Sequence, residues 1–418
     1  MGNKAMIIAW GSRGDVAPYT GVGAHLRAAG YEVTVAAGTV FADLVTDAGL
    51  EFEALAGDMR AAAQSEHHTG MARDGVASRS GVKMLRAAKQ YMGVINADIA
   101  RVAAASSADI MLITPMASAA YHVALARKIP TVGLSLQQHE PTSEFPPTAF
   151  GRSLGPLGNR VAGQLIRQAE RMFFAGINDI RAEHGVPPAT FAATHRQQAE
   201  THWPVLHGIS RHVVPQPRDW RPGLDIVGYW WPALPPGWTP PEELTRFLDA
   251  GAPPVFVGFG STNPGDAEHL SRTVTAALRK AGRRGVIQAG WANLSTSDDD
   301  MLAIGDIPHE WLFPRMAAVV HAAGAGTTAA GLRAVVPAVP IPITGDGPFW
   351  SYRLTTLGTS PGPIRFKKLS VDGLADAVRE ATTNPGYATR ARELANRIAT
   401  ENGADAVLET VNQQLERG

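Results

Sequence analysis

Apolar and polar positions along the chain form short buried runs separated by stretches of helical spacing, and this rhythm occurs twice. Ala5 to Trp10 is an unbroken apolar run that predicts a buried strand. Val16, Tyr19, Val22 and Leu26 follow at helical intervals, and Gly30 stops that helix. Tyr31 to Ala37, Ala108 to Thr114 and Thr131 to Leu136 predict three further strands. A proline-rich loop, Gln137 to Ser153, precedes one or two helices within Leu157 to Gly185. Strand-helix alternation of this kind predicts a parallel sheet with helices on both faces.

Prolines 217, 222, 232, 235, 236, 240 and 241 then interrupt the pattern. Proline fixes φ and lacks an N–H, so residues 216–241 are expected to form a linker of limited flexibility. Beyond it the alternation restarts. Strands are predicted at Pro254 to Gly258, Gly285 to Ala289, Ala317 to His321 and Val339 to Ile343, with a helix at Ala267 to Ala281. The tail from Tyr387 to Glu416 reads as helix interrupted near Gly403, and its last part is expected to pack back on the first domain. The chain therefore divides into an α/β domain at 1–215, the linker, and a second α/β domain at 242–418, facing each other across a cleft. Ligands of open α/β sheets lie beyond the carboxyl ends of the strands, so that cleft is the expected site.

Composition adds exclusions. The 418 residues suit two cores rather than one. Lysine plus arginine equals aspartate plus glutamate at 38 each, which offers nucleic acid no electrostatic attraction. The absence of cysteine excludes disulfides, thiolate metal sites and a thiol nucleophile. No run is long enough for stable membrane insertion, and Ala5 to Trp10 is too short for a signal-peptide core. A soluble cytoplasmic protein is expected, with monomer and homodimer both open.

Four stretches carry candidate chemistry. In Val319 to Thr328 a strand ends at His321, small residues turn the backbone, and a helix begins. The amides at such a helix start attract anions, and Gly324, Ala325, Gly326 and Thr327 leave room for a phosphate. A plain packing turn is the alternative. Val257 to Thr262 ends a strand in Gly258, Gly260 and Ser261, another phosphate-sized turn. Gly11-Ser12-Arg13-Gly14-Asp15 ends the first strand with a carboxylate that suits a general base, unless Asp15 only caps the helix beginning at Val16. Pro342 to Trp350 brings Asp346 to the same cleft, where a carboxylate can accept hydrogen bonds from sugar hydroxyls. Asp298-Asp299-Asp300 lies in a polar run without apolar period and reads as a solvated loop rather than a metal site. Gly21-Val22-Gly23 begins a dinucleotide fingerprint, but Leu26 takes the third glycine's place.

Together these stretches resemble the inverting glycosyltransferases of the natural-product and bacterial sterol-glucosyltransferase-like family, whose two Rossmann-like domains form the GT-B fold. The likeness spans nearly the whole chain. His321 to Thr328 is similar to the family's His-His-Gly-Gly-Ala-Gly-Thr-Thr run, with Ala322 and Ala323 as departures. Ile307-Pro308-His309-Glu310-Trp311-Leu312-Phe313-Pro314 resembles its nucleotide-side segment. Tyr229-Trp230-Trp231, Gly258-Phe259-Gly260-Ser261, Gln288-Ala289-Gly290-Trp291 and the acceptor-side loop Leu136 to Pro146 extend the match.

The resemblance implies a hexosyltransferase that uses a nucleotide-sugar donor, needs no cofactor or metal, and glycosylates a lipophilic small molecule. It implies that Asp15 is the catalytic base. His321, Ser261, Ile307 and the amides of Gly324, Ala325, Gly326 and Thr327 would hold the nucleoside diphosphate. Asp346 would hold the sugar, but the glutamine that follows it in the family is Gly347 here, which favours a deoxygenated sugar over glucose. UDP and dTDP stay open, because no ribose-binding glutamate stands at Ala329. Gln137, His139, Phe145 and Trp10 are the acceptor-side candidates. Tyr91, Met92, Met116 and Tyr121 suit either an acceptor wall or the core. Two rivals remain: a nucleotide-sugar-modifying enzyme of another class, and a non-catalytic helper protein, which the retention of Asp15, His321 and Asp346 argues against.

Overall fold

The computed structural model of the chain describes residues 2–57, 79–262, 266–296, 299–343 and 345–417, with backbone alone at 79–88. Asp298 and Thr344 lie outside these residues.

The first domain is built on seven strands: β1 (Lys4–Ile8), β2 (Glu32–Gly38), β3 (Glu51–Leu55), β4 (Ile110–Ile113), β5 (Thr131–Ser135), β6 (Val205–His207) and β7 (Leu224–Ile226). They form one parallel sheet in the order β3-β2-β1-β4-β5-β6-β7. Its helices are α1 (Arg13–Ala28), α2 (Ala42–Thr46), α3 (Arg79–Ala105), α4 (Ala119–Arg127), α5 (Gly155–Ala169), α6 (Ile177–Glu183) and α7 (Phe191–Glu200). Central strands such as β1 and β4 are apolar on both faces because helices cover both. The span 216–241 is not linker throughout: it contributes β7 to this sheet, since Leu224 and Ile226 bury their side chains there.

The second domain holds β8 (Val255–Gly258), β9 (Gly285–Gln288), β10 (Met301–Ile304), β11 (Ala318–His321) and β12 (Ala338–Pro340), parallel in the order β10-β9-β8-β11-β12. Its helices are α8 (Glu242–Asp249), α9 (Ala267–Lys280), α10 (His309–Leu312), α11 (Ala325–Arg333), α12 (Gly347–Thr356), α13 (Val371–Thr383) and α14 (Pro385–Ile398). The terminal helix α15 (Gly403–Arg417) crosses back, and Val407 and Val411 are buried in the first domain's core. Trp230 Nε1 donates to the Gly403 carbonyl at 3.0 Å, fastening the crossing.

The glycines inside α1 are packing residues. A Cβ on Gly21 would lie 1.8 Å from the Trp231 carbonyl oxygen, and one on Gly23 would lie 2.7 Å from Leu50. Close approach to the segment that leaves the first sheet at Gly21, and to Leu50 and Val33 at Gly23, accounts for these two glycines.

Candidate active site

β8 and β11 are neighbours, and Gly258 is the register partner of His321. β9 and β10 lie to one side and β12 to the other, so the crevice beyond Gly258 and His321 is the sheet's switch point. After His321 the chain turns through Ala323, at φ 60°, and Gly324 serves as the extended N-cap of α11. First-turn amides of a helix have no partner within it. A Cβ on Gly324 or Gly326 would meet nothing within 4 Å, so the helix start is uncrowded beside these two residues. The Ala325 N–H is engaged by Asp346 Oδ2 at 3.3 Å, while the uncrowded start, the remaining first-turn amides and the positive dipole end suit an anion.

His321 is 2% exposed, and its Nδ1 accepts the Ala323 N–H at 3.1 Å. With Nδ1 accepting, the neutral ring carries its proton on Nε2. Burial, with His309 adding to it, pushes the imidazole pKa down to about 3, so His321 is a neutral donor. Ser261 is half-buried in the turn that follows β8. Ile307 is half-buried ahead of α10, where His309 stacks on Phe313 at 4.2 Å.

Asp346 precedes α12, and three N–H groups converge on its Oδ2: Trp350 Nε1 at 2.7 Å, Gln137 Nε2 at 3.1 Å and Ala325 N at 3.3 Å. Burial nevertheless raises its pKa to about 6, with Asp15 contributing. Gly347 is buried. A Cβ there would lie 2.9 Å from the Ala322 carbonyl oxygen and 3.2 Å from Pro342 Cβ, so the position offers a ligand no side chain and has no room for one.

On the facing side, Ser12 is the N-cap of α1, which begins at Arg13 rather than Val16. Asp15 is therefore three residues into the cap and not its first residue. Its Oδ2 accepts the Ser12 N–H and the Ser12 hydroxyl, each at 2.8 Å. Gly11 allows this closeness, because a Cβ there would lie 2.6 Å from Asp15 Oδ2. Asp15 keeps partial solvent exposure, and burial raises its pKa above the usual carboxylate value. Capping and a second task at the cleft are compatible, since the Ser12 bonds use one oxygen only.

The acceptor-side candidates separate. Gln137 reaches Asp346 across the cleft. His139 is exposed, with Nδ1 3.8 Å from Glu170. Phe145 is buried between Trp220 and Phe349, at ring distances of 6.5 and 5.8 Å, so it packs one domain on the other rather than lining a wall. Trp10 is also core: it is 3% exposed, and its Nε1 donates to the Ala56 carbonyl. Met92 and Tyr121 join it there. The sequence reading passed over Arg13, whose guanidinium lies 3.9 Å from Asp306 of the other domain. Its one signal was its place inside Gly11 to Asp15. Among the described residues, no three histidine or carboxylate groups are grouped as a metal site.

The pattern of the Glycosyltransferase family 28 N-terminal domain matches residues 5–132. The O-mycaminosyltylonolide 6-deoxyallosyltransferase of Streptomyces fradiae is 34% identical over 96% of this chain and 95% of its own length. A sterol 3-beta-glucosyltransferase of Arabidopsis thaliana is 34% identical over 88% of the chain, which spans 59% of that longer relative. The solved glycosyltransferase VinC, in complex with dTDP, shares the fold at a TM-score of 0.66, with 17% identity over 99% of this chain and 100% of the other. The two facing parallel-sheet domains and these relatives lead to one assignment: the chain belongs to the GT-B glycosyltransferase family that contains the sterol glucosyltransferases and the transferases of macrolide natural products.

Proposed function

We propose that the chain is an inverting, metal-independent glycosyltransferase that moves a sugar from a UDP- or dTDP-sugar to a hydroxyl of a lipophilic natural product inside the cell. The observation that carries this reading is the placing of Asp15 opposite the Asp346 and α11 site: Asp15 lies in the first turn of α1, α1 packs against α11, and Arg13 lies 3.9 Å from Asp306 of the other domain. The first domain, with 1–215, is then the acceptor half, and 242–418 is the donor half. The sterol and tylonolide named for its relatives support a lipophilic acceptor, and the dTDP named for the solved neighbour supports a nucleoside diphosphate.

In the proposed reaction the acceptor oxygen bonds to the anomeric carbon as the bond from that carbon to the diphosphate oxygen breaks. The acceptor proton passes to Asp15, and the electron pair leaves with the nucleoside diphosphate. His321 Nε2–H, the amides of Gly324, Gly326 and Thr327 and the Ser261 hydroxyl stabilise the charge growing on the leaving group, while the Ala325 amide stays on Asp346. Fixed donors of this kind carry out the task a divalent cation performs elsewhere.

Asp15→Asn tests the division of labour. Transfer is expected to fall by roughly 10²–10⁴-fold, the usual value of a general base, while nucleotide affinity stays within twofold. Undiminished transfer by this variant would leave Asp15 with its capping role alone.

A further inference from the structure

Position 347 cannot supply a side chain to a sugar, yet an amide does stand beside Asp346. Gln137 follows β5 directly, and its backbone is pinned to Ser135: the Ser135 hydroxyl donates to the Gln137 carbonyl at 2.6 Å and accepts from its N–H at 3.4 Å. From that fixed base the side chain spans the cleft, and Nε2 donates to Asp346 Oδ2 at 3.1 Å. The three convergent donors share Oδ2, and none of them uses Oδ1. An amide with donor and acceptor beside a carboxylate can hold two adjacent sugar hydroxyls.

We infer that Gln137, on the acceptor domain, is a donor-sugar specificity residue: it provides the amide that Gly347 cannot, so the sugar site is complete only while the domains face each other. This rests on the reading of Asp346 as the donor-sugar carboxylate. It also removes the reason to expect a bias against glucose, since a fully hydroxylated sugar meets a carboxylate and an amide after all.

The test is calorimetry with UDP, UDP-glucose, dTDP and dTDP-glucose, read as the ratio by which each sugar nucleotide binds more tightly than its own bare diphosphate. In Gln137→Leu that ratio is expected to drop about tenfold for the preferred donor, the worth of one well-made hydrogen bond, with bare diphosphate affinity within twofold of the parent. Gln137→Asn, one methylene too short, is expected to behave alike and stands in should the leucine variant fold poorly. A structural role would weaken sugar nucleotide and diphosphate equally, and that result overturns the assignment, as does an unchanged ratio. Asp346→Asn, measured in parallel, separates two failures. If Asp346→Asn lowers the ratio and Gln137→Leu does not, only the role of Gln137 falls. If neither does, the donor-site reading of Asp346 falls with it.

Discussion

Three N–H groups point at one oxygen of Asp346, and each favours its ionised form, yet burial prevails and lifts the carboxyl to about 6. The unfolded chain would hold this group near 3.8. An acid whose folded pKa lies above its unfolded one binds more protons when folded, so stability falls as pH rises from about 4 to 6 and stays lowered above that. Asp346→Asn cannot ionise, and its carbonyl still accepts from the surrounding donors. Relative to the parent it should therefore gain about 1–2 kcal/mol at pH 8 and nothing at pH 3, the full shift being discounted for partial exposure. Denaturant midpoints of both proteins at these two pH values decide the matter, and equal stability at pH 8 contradicts the burial of this charge. A group kept under such tension at a cleft is more readily explained by a ligand than by folding.

At the scale of elements, α11, the helix proposed to hold the diphosphate, ends in a strained turn. The Val336 N–H bonds back to the Gly331 carbonyl and the Val335 N–H to that of Leu332, and Val335 takes the left-handed position at φ 62°. Glycine is the usual occupant there, and a β-branched residue pays for it sterically. Val335→Gly is expected to stabilise the protein by about 1 kcal/mol, read as a raised denaturant midpoint with unchanged slope; a lowered midpoint would contradict the turn's geometry. Elements of this kind were legible where burial dictated the pattern. β1, β8 and β11 are buried on both faces, so their apolar runs stood out. β3 was missed because its face is largely exposed, with Glu51, Phe52, Glu53, Ala54 and Leu55 burying only the last fully. β6 and β7 are three residues each, too short for a period, and β7 hides among prolines. Asp15, His321 and the small-residue turn were legible as local motifs. The partnership of Gln137 with Asp346 was not, since 209 residues separate them and only the docking of two sheets brings them together.

The whole molecule is held closed by contacts that the halves share. Phe145 packs on Phe349, Arg13 approaches Asp306, and α15 runs from the second domain into the core of the first. Among the described residues no helix is long and apolar enough to cross a membrane. This arrangement sets a carboxylate on one wall of the cleft opposite a helix start, a neutral histidine and a second carboxylate on the other. The central claim is that the diphosphate of a sugar donor sits on the second wall, held by protein donors. A crystal structure of the chain with bound UDP or dTDP, grown in EDTA, tests it most directly. The account predicts diphosphate oxygens within about 3 Å of the α11 first-turn amides and of His321 Nε2. A diphosphate seated elsewhere, or one that enters only when a divalent cation bridges it to the protein, would contradict it.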